Sequence, residues 1–371
     1  IKTGLGRRIA LIFVKLFGKR TLGLAYSLIG VDLILAPAMP SNTARAGGIM
    51  YPIIESLAKE FDSDPKKKTE RKIGSFLIFA EYHGNMITSA MFMTAMAGNP
   101  LVQTLAKSNG VHLQWMDWFL AGLVPGLLSL IIIPFIIYKL YPPEIKETPN
   151  AKEWADSELE KMGKITVPEK VMIGIFIFAL LLWVLGSTLK IDATLTAFMA
   201  LSLLLITGVL TWKDILNESG AWNTLTWFSV LVMMASQLNE LGFIPWLSKT
   251  IAGSLHGISW FFILLILVLA FFYSHYLFAS STAHISAMYG ALLGVAVSAG
   301  VPGMLAALML GFFGNLCAST THYASGPAPV LFGSGYVTQS KWWQMNAFLG
   351  IIYIVLWMVV GTLWMKVIGM W

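Results

Sequence analysis

Charged side chains and cysteines are scarce in this sequence. Asp, Glu, Lys and Arg make up 12% of its 371 residues, against about 25% in ordinary soluble domains. The single cysteine, Cys317, excludes a disulfide framework. Hydrophobic residues, in contrast, reach 57%. This excess of apolar surface predicts a protein embedded in lipid.

Several apolar runs are long enough to cross a membrane as helices. A crossing of the hydrocarbon core takes about 20 apolar residues, and the clearest runs are 171–189, 193–210, 261–279 and 347–367. Lipid offers no partner to free backbone groups, so each run is predicted to be helical. The predicted fold class is an all-α integral membrane protein with the lipid bilayer as its surroundings.

The positions of the basic residues predict an orientation. If segments 2–20, 59–72 and 139–170, together with Lys213 and Lys341, face the cytoplasm, that side holds twenty Lys and Arg. The opposite side then holds four, and such an excess marks the cytoplasmic side. The net charge of +6 lies in loops and not on one folded face, so nucleic-acid binding is not expected.

Two long apolar stretches are interrupted by polar clusters that match each other. The first cluster, Ser41 to Arg45, reads SNTAR, and the second, Ser280 to His284, reads SSTAH and follows at an interval of 239 residues. Divided in this way, each arm is too short to span the membrane. The pattern predicts two re-entrant hairpins, at about 22–58 and 258–298. A second helix is interrupted after each hairpin, at 97–100 and at 325–329.

These matches divide the chain into two repeats. Residues 1–140 form the first, 141–170 a cytoplasmic linker and 171–371 the second, and amphipathic pieces at 7–20 and 245–256 also correspond. With the orientation above, the hairpins open to opposite sides, so the repeat is inverted. Inverted repeats with broken helices are typical of secondary transporters, whose site lies near the midplane. The first repeat is the shorter before its polar cluster, so its N-terminal helices are expected to be missing from this sequence.

The two hairpin tips and the two later helix breaks supply the candidate substrate site. Hydroxyls, amides and free N–H groups at a helix start favour a carboxylate, so two tips would hold two carboxylates of one substrate. A packing role, with Ser and Thr bonded to their own helix, is the alternative. The candidate substrate-binding residues are Ser41, Asn42, Thr43, Ser280, Ser281, Thr282, Ser325, Gly326, Pro327, Gly98 and Asn99.

Two ionisable residues follow the tips at the same interval. Arg45 and His284 lie in the middle of apolar stretches, where an ionisable group is by default a functional candidate. Snorkelling to an interface is the alternative. We expect both residues to compensate the substrate charge, with Arg45 left uncompensated when the site is empty.

Other polar residues near the breaks receive weaker roles. His322 and Tyr323 precede the second break and are candidates for lining the site, with a packed, hydrogen-bonded pair as the equal alternative. Glu81 and His83 receive no role. No metal ion and no other cofactor is predicted.

At these residues the sequence resembles the divalent anion/sodium symporter family. The resemblance is strongest to its sodium-independent branch of plastid 2-oxoglutarate/malate translocators and bacterial citrate, tartrate and dicarboxylate antiporters. It rests on residues 36–48, APAMPSNTARAGG, and 316–337, LCASTTHYASGPAPVLFGSGYV, and runs from residue 5 onward. It implies a homodimer whose mobile transport domain carries substrate by an elevator motion. Its substrate contacts would be Asn42, Thr43, Ser281, Thr282, Ser325, Gly326 and Pro327.

The resemblance also implies a function. We expect sodium-independent exchange of C4 and C5 dicarboxylates such as 2-oxoglutarate, malate and succinate. In the family pattern Ser281 replaces a second Asn, and Arg45 and His284 stand beside the cation sites, which weighs against sodium coupling. A sodium-coupled di- or tricarboxylate symporter of the same fold is the alternative. The expected location is a bacterial inner membrane, with the plastid inner membrane as the alternative.

Two other classes of protein fit less well. A membrane-embedded hydrolase would leave the repeat unexplained, and the sequence has neither a GxSxG elbow nor an HExxH pair. A channel needs a continuous pore, whereas hairpins around a central polar site suit an occluded pocket.

Overall fold

The structure is a computed structural model that describes residues 2–253 and 257–371. Within these residues it consists of helices joined by turns and loops, and it has no strand. The last residues of the second amphipathic piece, 254–256, lie outside the described part. The predicted all-α fold class is therefore confirmed.

In the first part of the chain, broken helices surround two long ones. The helices are α1 (Leu5–Phe17), α2 (Thr21–Leu35), α3 (Asn42–Arg45), α4 (Tyr51–Glu60), α5 (Gly74–Met91), α6 (Gly98–Ser108) and α7 (Trp115–Leu140). Every residue of α5 is buried, so this helix forms the centre of the bundle. A break is observed between α5 and α6, but it covers residues 92–97 and not the predicted 97–100, since α6 already begins at Gly98.

The second part repeats this order after a linker. The linker contains α8 (Asn150–Met162). The helices that follow are α9 (Val167–Leu189), α10 (Ala193–Ile206), α11 (Trp212–Asn217), α12 (Ser219–Glu240), α13 (Phe243–Gly253), α14 (Trp260–Ser274), α15 (Ser281–His284), α16 (Gly290–Ser298), α17 (Gly303–Leu316), α18 (Pro327–Gly333), α19 (Gln339–Leu356) and α20 (Thr362–Val367). Helix α10 has 14 residues and ends before residue 210, so it is shorter than the predicted span.

The two interrupted stretches have the same internal geometry. In the first, α2 leads through a 3₁₀ turn, Ala36–Ala38, to α3, a π-helical segment, Ala46–Met50, and α4. In the second, α14, the turn His275–Leu277, α15, the π segment Ile285–Tyr289 and α16 follow in the same order. From the 3₁₀ turns onward, the segment starts are displaced by 239 residues. The repeat in the sequence is thus also a repeat of backbone geometry.

Serine caps explain why both short helices begin where they do. The Ser41 hydroxyl accepts a hydrogen bond from the backbone N–H of Ala44 at 3.1 Å, and the Ser280 hydroxyl accepts one from Ala283 at 3.3 Å. A serine at this position satisfies an N–H group that has no partner within the helix. The two tips therefore start helices for the same local reason.

Both outer ends of the first broken-helix unit, α2 to α4, lie beside the linker. The backbone N–H of Thr21, at the start of α2, donates to Lys146 at 3.0 Å. Just after α4, Asp62 pairs with Lys72, and the Lys72 carbonyl accepts from the N–H of Ile145 at 3.0 Å. The chain therefore enters and leaves this unit in one region of the molecule.

The outer ends of the second unit, α14 to α16, contact other parts of the chain. At the start of α14, the Trp260 ring is 4.9 Å from that of Trp371, which the Lys366 ammonium also approaches. Beyond α16, Gly303 lies next to Val111, in the loop that follows α6. Lys366 belongs to the group of basic residues predicted to lie opposite the linker.

The linker contains a helix that the sequence analysis did not predict. Helix α8 lies against α1, and three ion pairs join α1 to the linker region: Arg7–Glu158 at 2.6 Å, Arg8–Glu169 at 2.7 Å and Lys15–Asp156 at 2.5 Å. Lys2 also pairs with Asp214 at 2.5 Å. The structure thus brings together segments that were assigned to the cytoplasmic side.

The outer surface of the second part is strongly apolar. Large side chains such as Leu181, Phe198 and Leu225 are more than half exposed. Within the described residues, the helices long and apolar enough to cross a membrane are 21–38, 115–140, 167–186, 260–277 and 339–367. Two of them, 21–38 and 260–277, are first arms of the interrupted stretches, so the expectation that each arm is too short to span is wrong for these two. An apolar surface of this kind is stable in lipid and not in water.

Candidate functional site

Both tips and both broken helices contribute to one buried cavity. Its lining combines amides, hydroxyls and two methionines from distant parts of the chain. The lining residues are Asn42, Tyr82, Asn85, Met86, Ser89, Met96, Ser281, Asn315, Ala318, Ser325 and Pro327. The two repeats therefore meet at this cavity.

Four of the predicted substrate residues line the cavity. Asn42 comes from the first tip, Ser281 from the second, and Ser325 and Pro327 from the second break. The others of the set surround it. Ser41 and Ser280 cap the short helices, and the carbonyl of Thr282 accepts from the Ser286 hydroxyl within its own helix at 2.9 Å. This bond uses the backbone of Thr282, so the role of the Thr282 hydroxyl stays a prediction.

Each tip packs against the break of the other repeat. A Cβ atom placed on Gly326 would lie 2.0 Å from the Thr43 hydroxyl oxygen, so only glycine fits beside the first tip. A Cβ on Gly98 would meet the Ile285 side chain, which follows the second tip, at 2.8 Å. These two predicted residues therefore permit close backbone approach and do not line the cavity.

Asn99 closes the first break and links it to the second repeat. Its amide donates to the carbonyls of Ser89 and Phe92, at 2.8 and 2.9 Å, which lack helical partners at the end of α5. Its oxygen accepts from Asn315 Nδ2 at 2.7 Å. Asn99 therefore positions Asn315, which lines the cavity, and is not itself part of the lining.

Arg45 is completely buried and fully paired. Its guanidinium donates to Asp32 at 3.0 Å, to the Met39 and Ala95 carbonyls at 2.6 and 2.7 Å, and to the Ser89 hydroxyl at 2.9 Å. The expectation that Arg45 is uncompensated in the empty site is therefore wrong. Its counter-ion, Asp32, is supplied by the preceding arm of the hairpin, which folds back against α3.

Two histidines, His275 and His284, flank the second tip in the chain and lie next to each other in the structure. His275 Nε2 lies 2.7 Å from the Ala324 carbonyl in the second break. The His284 ring stacks on Phe271 at 4.3 Å, and its Nε2 lies 3.0 Å from the Ser274 hydroxyl. His284 does not line the cavity, and its role in charge compensation stays a prediction.

Three side chains behind this tip could hold a metal ion. The nitrogens of His275 and His284 and the sulfur of Cys317 all lie within 4.8 Å of one another, and all three residues are buried. Imidazole and thiolate ligands suit Zn²⁺ and other soft divalent ions. The sequence analysis did not find this group, because its members belong to different helices.

The candidates before the second break form packed pairs. His322 Nδ1 accepts from the Trp343 indole N–H at 3.0 Å, and the Tyr323 hydroxyl donates to the Tyr276 carbonyl at 3.1 Å. Neither residue lines the cavity. The two rings pack edge-on at 5.1 Å, as the alternative of a packed pair expected, but each residue hydrogen-bonds a third residue and not the other.

Sequence reasoning missed several lining residues on α5 and α17. Asn85 donates to Asp32 at 3.1 Å and to the carbonyl of Asn42 at 3.3 Å, so it supports the first tip. Tyr82 donates to the Ala318 carbonyl at 2.5 Å across the cavity. The matching Gly-Asn pairs at 84–85 and 314–315 were visible in the sequence and could have identified both asparagines.

The fold and site define an all-helical membrane protein with two repeated broken-helix units around a buried polar cavity, the architecture of a secondary transporter. The chain belongs to the family of the sodium:sulfate symporter transmembrane region, whose sequence model matches residues 1–371. It is therefore a membrane transporter and not an enzyme.

Three relatives cover this chain almost completely. YflS of Bacillus subtilis (strain 168), provisionally named a malate transporter, is 56% identical over 372 residues, which are 100% of this chain and 78% of YflS. Chloroplastic dicarboxylate transporter 1 of Spinacia oleracea is 48% identical over 375 residues, 100% of this chain and 66% of the relative. The L-tartrate/succinate antiporter of Escherichia coli (strain K12) is 40% identical over 369 residues, 99% of this chain and 76% of the relative.

Proposed function

We propose that this protein exchanges C4 and C5 dicarboxylates across a membrane without sodium. The observation that carries the proposal is the single cavity lined by both tips, Asn42 from one repeat and Ser281 from the other. The names of the relatives support the substrate class, since they include a dicarboxylate transporter and a tartrate/succinate antiporter.

The polar groups of the cavity suit an anion with two carboxylates. Asn42 stands on the side of the first tip, and Ser281 and Ser325 on the side of the second, whereas the amide donors of Asn85 and Asn315 already bond protein oxygens. Amide and hydroxyl donors bond carboxylates more strongly than they bond neutral acceptors. The cavity has a volume of about 10 Å³, which is room for about one water molecule. A dicarboxylate would therefore enter only when the two tips move apart, with one carboxylate on each side and the carbon chain beside Met86 and Met96.

Sodium independence is supported by the donors that already occupy both breaks. A sodium ion needs free oxygen ligands, and backbone carbonyls at broken helices supply them in coupled transporters. Here the Arg45 guanidinium bonds the carbonyls of Met39 and Ala95. In the second repeat His275 bonds the Ala324 carbonyl. Fixed donors of the protein thus take the oxygens that a cation would use.

The remaining parts of the proposal concern architecture. The units α2–α4 and α14–α16 act as re-entrant hairpins of an inverted repeat, supported by their outer ends contacting different parts of the chain. They move as part of a transport domain, elevator fashion, past a scaffold. The exposed apolar side chains of α9 to α12 face lipid and a second copy of the chain in a homodimer. A bacterial inner membrane is the proposed location.

Counterflow in liposomes tests the function. The purified protein is reconstituted into liposomes loaded with succinate, malate, 2-oxoglutarate, tartrate or citrate, and uptake of labelled succinate is followed in sodium-free choline buffer. Exchange is expected with internal dicarboxylate and little uptake into empty liposomes. A strict requirement for sodium would favour the symporter alternative. Cross-linking in the membrane would test the homodimer, which predicts a band at twice the monomer mass.

A further inference from the structure

One buried acidic group has no place in the site described above. Glu81 lies on α5 and is completely buried. Neither of its carboxylate oxygens has a hydrogen-bond partner among the residues that the structure describes. An ionised carboxylate in this situation would have lost its hydration without any replacement, at a cost of several kcal/mol.

The charged groups around Glu81 do not offer it a counter-ion. Asp32 on α2 and Arg45 on α3 interact with it electrostatically. The Arg45 guanidinium already bonds Asp32, two carbonyls and a serine hydroxyl. On α5 itself, His83 bonds Tyr353 and Asn346.

The other elements packed against α5 add no partner either. The π segment Ala46–Met50, α17 and α18 contain no ionisable residue, and the turn Cys317–Ser319 contributes only the Cys317 thiol. Helices α4 and α7 carry their ionisable groups toward their outer parts or ends, with Glu55 and Lys59 paired to each other and substantially exposed. Among the groups around Glu81, only the Arg45 guanidinium favours a negative charge there, and it already neutralises Asp32.

The net charge of Asp32, Arg45 and Glu81 together depends on whether Glu81 holds a proton. Asp32 and Arg45 cancel, so an ionised Glu81 would leave one net negative charge buried inside the membrane, where such a charge is very costly. We propose that Glu81 is a proton-binding site, whose carboxyl group holds a proton so that the cluster Asp32, Arg45 and Glu81 is neutral. The ligand of this site is a proton taken from water.

This assignment has a consequence for transport that rests on the proposed function. A neutral cluster can cross the membrane interior with the cavity, whether or not substrate is bound, without carrying charge of its own. Ionised Glu81 would instead add a negative charge next to a bound dianion and oppose binding. Replacing Glu81 by glutamine, which has the same shape and no charge, should therefore preserve exchange.

Infrared spectroscopy tests protonation without any transport. In the wild-type protein near neutral pH, the C=O stretch of a protonated carboxyl group that shifts in D₂O is expected, and Glu81→Gln should remove it. Glu55→Gln, on the exposed surface, is the matched control and should leave the band. Absence of the band from the wild-type protein, or its persistence in Glu81→Gln, would overturn the proposal even if the protein proves to be an exchanger.

Transport supplies the second readout. Glu81→Gln should retain succinate exchange within about two-fold of the wild-type rate, because glutamine leaves the cluster neutral. The assay is sensitive, since a barrier change of about 1.4 kcal/mol would alter the rate tenfold. Should the glutamine variant fail to fold, Glu81→Leu serves the same purpose, since leucine is also uncharged. A folded variant that loses more than about tenfold of its exchange would show that the ionised carboxylate is needed, and the proton site would be rejected.

Discussion

Removal of the Arg45 guanidinium should lower the free energy of unfolding, because the buried Asp32 carboxylate would lose its counter-ion. The substitution Arg45→Met keeps an apolar stem of similar length and deletes four hydrogen bonds. Asp32 would keep only its contacts with Asn85 and Thr88. The result is a buried carboxylate without a counter-ion, together with two backbone carbonyls that have lost a donor.

The expected loss of stability follows from this count. Breaking a buried ion pair by removing one partner costs about 3–5 kcal/mol, because the remaining charge is not compensated. Replacing both partners by neutral groups removes that charge and often costs far less. Asp32→Asn combined with Arg45→Met should therefore be more stable than Arg45→Met alone, by about 2 kcal/mol or more.

Equilibrium unfolding in mixed micelles, followed by tryptophan fluorescence, measures these differences. The matched control is Arg7→Met, which breaks an exposed pair with Glu158 and should cost less than about 1 kcal/mol. The reasoning would be refuted if Arg45→Met cost no more than this control, or if the double variant were no more stable than the single one. Either result would mean that Asp32 is not held ionised by Arg45.

Three further predictions concern the cavity, the packing of the repeats and the orientation. Asn42→Ala should weaken succinate binding about tenfold in a direct binding assay, because a hydrogen bond to a charged group is worth about 1.5–3 kcal/mol; unchanged affinity would remove Asn42 from the site. Gly326→Ala should destabilise the fold by about 1–3 kcal/mol in thermal unfolding, since its Cβ would overlap the Thr43 hydroxyl, and Thr43→Ala should relieve part of that loss. Gly333→Ala, with open space around it on the same helix, is its control. A cysteine at Lys164, in a cysteine-free background, should react with a membrane-impermeant maleimide only from the cytoplasmic side, and labelling from outside would contradict the orientation.

The sequence predicted local features well because the membrane imposes them. Long apolar runs must be helical in lipid, and the breaks at Ser41 and Ser280 are marked by polar residues that start new helices. The interval of 239 residues between the two tips in the sequence is also the interval between the corresponding backbone segments in the structure. Helix α8 was missed, because its mostly polar sequence has no apolar run and its place depends on ion pairs with α1.

Pairings between distant residues could not be predicted in this way. Arg45 and Asp32 are 13 positions apart on two arms of one hairpin, and only the fold brings them to 3.0 Å. Glu81 was assigned no catalytic role on sequence grounds, since it and His83, two positions apart, do not share a helix face. Its burial and its lack of a hydrogen-bond partner result from the packing of several helices around α5. The sequence of α5 alone does not show which groups will surround Glu81.

The pairing of Arg45 changes the explanation of obligatory exchange. An uncompensated guanidinium would have kept an empty transport domain from returning, but the observed pair with Asp32 is neutral. The barrier to the empty form must then come from hydrogen-bond donors that a substrate carboxylate would satisfy, such as the side-chain NH2 group of Asn42, which lines the cavity. Burying an unsatisfied group costs about 1–3 kcal/mol, so a few groups of this kind at the cavity would slow the empty form by orders of magnitude. Exchange would thus depend on hydrogen bonds that only a carboxylate completes, and not on a fixed positive charge.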